Sequence, residues 1–93
     1  MIEQIHEFAK TIEAMYPQFI TRVKEFPSGA AWLYINLDNT GIEMAYSPKD
    51  GFGVSIIDDQ SFPFVGHDNV FVTFEETKTH ILQMLWNAYN KLQ

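Results

Sequence analysis

Residues 31–57 read AWLYINLDNTGIEMAYSPKDGFGVSII, and this stretch decides the fold. Apolar side chains recur at alternate positions in three runs, as in strands that are buried on one face. Two short sequences rich in turn-forming residues separate the runs. The stretch therefore predicts three antiparallel strands joined by two hairpin turns.

The first turn is predicted over residues 38–41, whose sequence DNTG suits the backbone angles of a four-residue hairpin loop. Such a loop pairs Leu37 with Ile42. Continuing this register pairs apolar residues of the two strands with each other: Ile35 with Met44 and Leu33 with Tyr46. One face of the hairpin is then wholly apolar, which favours burial of that face.

The second turn is predicted over residues 47–51, where Pro48 pre-sets the turn and Gly51 can adopt the positive φ that other residues resist. This turn pairs Tyr46 with Phe52. The apolar face then continues across the third strand through two further pairs, Val54–Met44 and Ile56–Ile42. Because both hairpins select the same face, they support each other.

The N-terminal segment carries apolar residues at helical spacing: Ile2, Ile5, Phe8, Ala9, Ile12, Met15 and Tyr16. Pro17 disfavours helical angles at the residue before it, so the helix is expected to end there. The opposite side of the helix is acidic, whereas helices that lie on membrane surfaces favour basic residues. We therefore expect this helix to pack on the sheet.

Residues 19–26 have the composition of a strand, and the Pro27-Ser28-Gly29 triplet that follows is typical of a short hairpin loop. The resulting register is defined by four pairs: Phe26–Ala30, Val23–Leu33, Thr21–Ile35 and Phe19–Leu37. On the outer face it sets Lys24 opposite Trp32 and Arg22 opposite Tyr34. The sequence therefore predicts cations that lie over the two aromatic rings.

The connection over residues 58–69 is long, since loops in compact domains usually have about four to six residues. It contains Phe62 and Phe64, which cannot both lie wholly in water. We expect these two side chains to plug an open end of the core. A lid, or a hook for a partner, is the alternative.

A short fifth strand is predicted over residues 70–72, and Thr73 with Glu76 fits the capping box that begins a helix. The C-terminal helix carries an apolar stripe, widened by Met84 and Trp86: Phe74, Ile81, Leu82, Leu85, Ala88, Tyr89 and Leu92. Its predicted solvent-exposed side consists of His80, Gln83, Asn87 and Asn90. The width of the stripe indicates contact with more than the sheet.

These elements predict one α+β domain over residues 1–93. Its expected order is a helix, a four-stranded antiparallel meander, a short fifth strand and a second helix, with both helices on one face of the sheet. A chain of 93 residues buries about 65% of the surface that it exposes when unfolded. A core of that size needs no disulfide or metal to hold it together.

Composition narrows the possible functions. The net charge of −6 repels polyphosphate, so nucleic acid is not an expected ligand. The absence of cysteine excludes disulfides, a thiol nucleophile and cysteine-based zinc sites. The sequence shows neither the pattern of a signal peptide nor an apolar run of about 20 residues. We therefore expect a small acidic protein that is cytoplasmic and does not enter a membrane.

The predicted order of helix, strand meander and helix resembles that of double-stranded RNA-binding domains, which carry three strands between two helices. The resemblance covers element order only. That family contacts phosphates with a lysine-rich start to its second helix, and the matching residues here are Phe74-Glu75-Glu76-Thr77. Their charge has the opposite sign, so the resemblance does not imply RNA binding.

The sequence offers no readable catalytic or cofactor site. Gly51-Phe52-Gly53 leads into a strand and lacks the helix start that a phosphate-binding loop uses. The three histidines lie in different predicted elements, and the polar cluster of His67-Asp68 with Asp58-Asp59 does not match a calcium loop. No serine lies in a nucleophile-elbow pattern. We expect a protein that is not an enzyme and holds no metal or cofactor.

A binding module is the preferred interpretation, with two candidate surfaces. The outer sheet face carries Trp32, Tyr34 and Arg22, residue types that often anchor interfaces, although Lys24 and Arg22 could instead cover the rings. The loop over residues 58–69 is the second candidate. The expected partner is another protein or a second copy of the chain. The alternative function is a small-ligand sensor with a pocket between this loop and the C-terminal helix, lined by Phe62, Phe64, Trp86 and His67.

Overall fold

The computed structural model describes residues 1–37, 40–57 and 69–91. Within these ranges it contains two helices and five strands: α1 (Ile2–Met15), β1 (Ile20–Glu25), β2 (Ala31–Asn36), β3 (Gly41–Ser47), β4 (Gly51–Ile57), β5 (Asn69–Phe71) and α2 (Phe74–Lys91). The strands form one antiparallel sheet in the order β1-β2-β3-β4-β5. The α+β prediction is confirmed, and the fifth strand begins one residue earlier than expected.

Both helices lie on the same face of the sheet, which we call the inner face. Helix α1 contacts β1 and β2, whereas α2 contacts β4 and β5. Two aromatic contacts join α2 to α1 and to Tyr16, the residue that follows α1. Phe8 meets Phe74 edge to face with ring centroids 5.9 Å apart, and Tyr16 lies 5.4 Å from Tyr89. The helices therefore run side by side over the sheet, as the sequence predicted.

The inner face forms the core, because the alternating apolar residues of the central strands point towards the helices. The buried sheet residues are Ala31, Leu33, Ile35, Ile42, Met44, Phe52 and Val54. The helices contribute Ile5, Phe8, Ala9, Ile12, Ile81 and Leu85. A row of rings links the two layers: Tyr46 to Phe52 at 4.9 Å, Phe52 stacked on Phe74 at 5.6 Å, and Phe74 against Phe8.

Two of the three predicted hairpin registers are confirmed. Strand β1 pairs with β2 through Val23–Leu33, and the Phe26 N–H donates to the Ala30 carbonyl at 3.0 Å. Strand β3 pairs with β4 through Tyr46–Phe52, and Gly51 has the expected positive φ of 83°. The turn sequences were sufficient for these two hairpins.

The predicted register between β2 and β3 is wrong by two residues. The structure pairs Ile35 with Ile42 and Leu33 with Met44. The Leu37 N–H donates to the Thr40 carbonyl at 2.8 Å, so only two residues separate that pair along the chain, and the sequence Asp-Asn is typical of such short loops. A shift of two preserves the face of every side chain, which is why the predicted apolar face survives the error.

The capping box at the start of α2 is confirmed in part, since Thr73 caps the helix as expected but the Glu76 carboxylate bonds to the Thr73 hydroxyl instead of the Thr73 backbone N–H. The Glu76 N–H donates to the Thr73 hydroxyl at 3.2 Å, and that hydroxyl donates to the Glu76 carboxylate at 2.9 Å. The predicted width of the apolar stripe is confirmed on the side of Met84, which is half-buried against the core, and wrong on the side of Trp86. The fully buried residues of the helix, Thr77, Ile81 and Leu85, are four residues apart and form one line.

Positions next to that line are displaced from it by about 100° around the helix, since there are 3.6 residues per turn. Trp86 therefore points outwards and is 53% exposed. His80, predicted to face solvent, is half-buried against β5, where its ring lies 5.1 Å from that of Phe71.

Candidate binding surface

The outer face of the sheet carries the residues that the sequence singled out for binding. Because both helices lie on the inner face, none of the described helices covers it. The register aligns Arg22, Tyr34 and Glu43 in one row across β1, β2 and β3. Lys24 and Trp32 begin the next row. The fold thus brings Trp32, Tyr34 and Arg22 together on one surface.

Trp32 is 45% exposed, although it lies in the second strand of the sheet. The Phe26 ring lies 5.1 Å from the Trp32 ring at an angle of 66°. The Lys24 ammonium lies over Phe26 at 5.4 Å from the ring centroid, and not over Trp32 as predicted. Phe26 follows Lys24 by two residues, so both project from the same face and can meet along the strand.

Tyr34 lies over Gly41, a contact that sequence reasoning missed. A Cβ atom at Gly41 would come within 2.6 Å of the Tyr34 hydroxyl and 2.8 Å of the ring carbon that carries it. The absence of a side chain therefore lets the ring lie close to β3. Gly41 was assigned to the turn because its sequence neighbours are turn formers, and the two-residue error in register hid its place in the strand.

We call the exposed β1–β2 half of this face the basic–aromatic patch. It comprises Ile20, Arg22, Lys24, Phe26, Trp32 and Tyr34. Ile20 is 60% exposed at one end. The six residues of the patch include two cations and no carboxylate, and Glu43 borders the patch opposite Tyr34, whereas the chain as a whole carries a net charge of −6. Its local charge is therefore opposite in sign to that of the protein.

The other predicted site residues do not join this patch. Phe62, Phe64 and His67 lie outside the described residues, so the predicted contact loop and the predicted ligand pocket stay predictions. Trp86 belongs to α2, which lies on the inner side of the sheet, and its side chain points into solvent. Trp32 and Trp86 are thus two exposed tryptophans on opposite sides of the molecule.

A groove lies between α1 and α2, and sequence reasoning missed it. Its volume is about 320 Å³, its base contains Phe8 and Phe74, and Glu7 and Glu75 lie on opposite sides. Lys78 reaches into it: its ammonium lies 5.0 Å from the Phe74 ring centroid and 3.0 Å from the Glu75 carboxylate. Lys78 and Glu75, the charged residues of α2 in this groove, therefore form an ion pair with each other.

The described histidines lie apart. His6 Nε2 is 3.6 Å from a carboxylate oxygen of Glu25, and His80 Nε2 is 3.3 Å from the Asn69 amide nitrogen. In the part of the chain that the structure describes, no group of three histidine, aspartate or glutamate side chains is placed to hold a metal ion. Neither helix there has the length and apolarity needed to cross a membrane.

Comparisons with protein-family models, with curated proteins and with solved structures returned no match.

Proposed function

We propose that this chain is a non-catalytic protein-binding module and that the basic–aromatic patch is its binding surface. The observation that carries the proposal is Trp32, which is 45% exposed on the sheet face that the described helices leave open. Aromatic side chains bury about 150–250 Å² each when covered. Covering the exposed part of this ring would contribute about 2–3 kcal/mol to binding.

The side chains of the patch suit recognition. Tryptophan, tyrosine and arginine are the residue types that most often dominate the free energy of protein interfaces. Trp32, Tyr34 and Arg22 lie on adjacent strands within one side-chain spacing of each other. None of the six patch residues is a carboxylate, an imidazole or a thiol, so the patch lacks three of the groups that enzymes use for proton transfer.

The charge of the patch indicates the chemistry of the partner. Arg22 and Lys24, which lie on β1 away from the Glu43 carboxylate on β3, favour a partner surface that combines acidic and apolar groups. A second copy also offers acidic groups, since the exposed side of α1 carries Glu3, Glu7 and Glu13. The proposal therefore includes a protein partner and self-association, and solution mass separates the two.

The test compares the two exposed tryptophans. Trp32→Ala removes the centre of the patch, and Trp86→Ala removes a tryptophan of similar exposure from the other side of the molecule. The solution mass of the wild type and both variants is measured by light scattering over a wide concentration range. Circular dichroism and thermal unfolding verify that each variant folds.

If the wild type self-associates, we expect Trp32→Ala to dissociate it and Trp86→Ala to leave it unchanged. If the wild type is a monomer, a photo-crosslinker at Ile20 should trap a protein partner that Trp86→Ala retains and Trp32→Ala loses. Equal behaviour of the two folded variants in both experiments would contradict the proposal. Loss of association in Trp86→Ala alone would place the binding surface on α2 instead.

A further inference from the structure

The free edge of β1 offers backbone hydrogen-bonding groups next to the basic–aromatic patch. Strand β1 is the first strand of the sheet, and no described strand lies beyond it. The Phe26 N–H donates to the Ala30 carbonyl, so these two residues form a hydrogen-bonded pair. Such pairs alternate along an antiparallel ladder. The backbone groups of Thr21, Val23 and Glu25 therefore point away from β2, towards the open edge.

This edge lacks most of the features that prevent strands from pairing. Strand β1 is six residues long and contains neither proline nor glycine. Its pairing with β2 runs without a break from Ile20–Asn36 to Glu25–Ala31, so no bulge twists it away. Exposed charge is the remaining protection, and it is supplied by Arg22 and Lys24.

These charges oppose pairing with a second copy of the same edge. In an antiparallel pair of β1 strands centred on Val23, Arg22 would lie directly opposite Lys24 of the second copy. Centring the pair on Arg22, Lys24 or Glu25 would place that residue opposite itself. Side chains in these positions are about 5 Å apart, and like charges there are destabilising. Every self-pairing centred from Arg22 to Glu25 is therefore disfavoured.

An added strand with acidic side chains would place opposite charges, instead of like charges, across this edge. Arg22 and Lys24 project from the outer face two residues apart, a separation of about 6.6 Å along the strand. Carboxylates at alternate positions of an added strand have the same spacing and would lie beside these cations. On the inner face the added strand would border polar groups, since the Thr21 hydroxyl donates to Glu13 and Glu25 lies near His6. Small neutral side chains suit those positions.

We propose that the free edge of β1 binds an extended acidic segment of another protein as a sixth strand, with carboxylates at every second residue. This inference rests on the proposed function and assigns its partner and its mode of binding. Backbone hydrogen bonds to Thr21, Val23 and Glu25 supply the affinity, as in other cases of strand addition. Arg22 and Lys24 select acidic segments and disfavour pairing with the β1 edge of a second copy.

The experiment uses the whole chain and a ten-residue synthetic peptide that alternates threonine and glutamate. Amide hydrogen exchange is followed by NMR. At a peptide concentration about ten times Kd, exchange at Thr21, Val23 and Glu25 should slow about tenfold. The amides of Arg22 and Lys24 already bond to β2 and should change little. A matched peptide that alternates threonine and lysine should protect none of them.

Two variants test the two parts of the inference separately. The double substitution Arg22→Glu with Lys24→Glu should reverse the preference, so that the lysine peptide binds and the glutamate peptide does not. Val23→Pro removes an outward N–H while it leaves the ladder to β2 complete, and it should abolish protection at Thr21 and Glu25. If Val23→Pro does not fold, the peptide preference of the double variant alone tests the inference.

Absence of protection with the glutamate peptide, or equal protection with both peptides, would overturn the inference. The proposed function fails on a different result, namely that Trp32→Ala and Trp86→Ala behave alike in the association and crosslinking experiments. A partner that depends on Trp32 but slows no β1 amide would show that the patch binds by its face and not by its edge.

Discussion

The two faces of the sheet share the same strands but are held by different interactions. On the inner face, Leu33 is completely buried beneath the helices. Its neighbour Trp32 points to the other side and keeps almost half of its surface exposed. The inner face is defined by packing, and the outer face by an arrangement of rings, cations and one glycine. Residues that determine the fold and residues available for binding therefore alternate along a single strand.

Replacing neighbouring residues of β2 should give the largest difference between the faces. Leu33→Ala removes a fully buried side chain and should cost about 2–5 kcal/mol of unfolding free energy. Trp32→Ala removes a half-exposed ring and should cost about 1 kcal/mol. Urea denaturation of both variants measures the two costs. Equal costs would mean that Trp32 is part of the core, and the outer face would no longer be a separate surface.

Gly41→Ala should have an intermediate effect, because it introduces a Cβ atom where the Tyr34 ring lies. We expect a loss of about 1 kcal/mol, at the low end for overpacking, because the clash is with the far end of the half-buried Tyr34 side chain, which can shift. In a Tyr34→Ala background the same substitution should cost much less, since the ring that it displaces is absent. A double-mutant cycle measured by denaturation gives the coupling energy. A coupling energy of zero would contradict the close contact.

Lys24→Glu should have the smallest effect on stability, within about 0.5 kcal/mol, because the side chain is exposed. By contrast, Lys24→Glu should promote self-association. In the self-pairing centred on Val23, the introduced carboxylate would lie opposite Arg22 of the second copy, so two favourable pairs replace two repulsive ones. Light scattering should then show dimers at high concentration.

Lys24→Gln is the control for this change, since it removes the positive charge without adding a negative one. It should remain in the same state of association as the wild type. If Lys24→Glu gives no dimers, the charges on β1 are not what prevents self-pairing at this edge.

The strands and their faces could be predicted from sequence because each depends on local signals that agree. Residues 47–51 set one turn, and the alternation on either side of it sets the buried face. The register between β2 and β3 could not be predicted as securely. Loops of two and four residues around Asp38 and Asn39 bury the same set of side chains, so the apolar pattern does not distinguish them.

The candidate site was predictable as a set of residues but not as a surface. The register alone placed Arg22 beside Tyr34 and Lys24 beside Trp32. The direction taken by the Lys24 side chain depends on its rotamer, and the structure directs it to Phe26 and leaves Trp32 exposed. Along α2, the width of the buried stripe depends on how closely the helix approaches the sheet, which the spacing of apolar residues does not show.

The row of rings that joins the sheet to both helices also has a consequence for the order of folding. Phe8 and Phe74 are 66 positions apart in the chain, whereas each hairpin joins neighbouring segments. Closing the longer loop costs more chain entropy, so hairpin contacts are expected to form before contacts between the helices. Until α2 docks, Phe52 and Val54 lack the helix that covers them. A folding intermediate without docked α2 would therefore expose this part of the inner face. The tendency of that intermediate to aggregate should depend on how quickly α2 packs on the sheet.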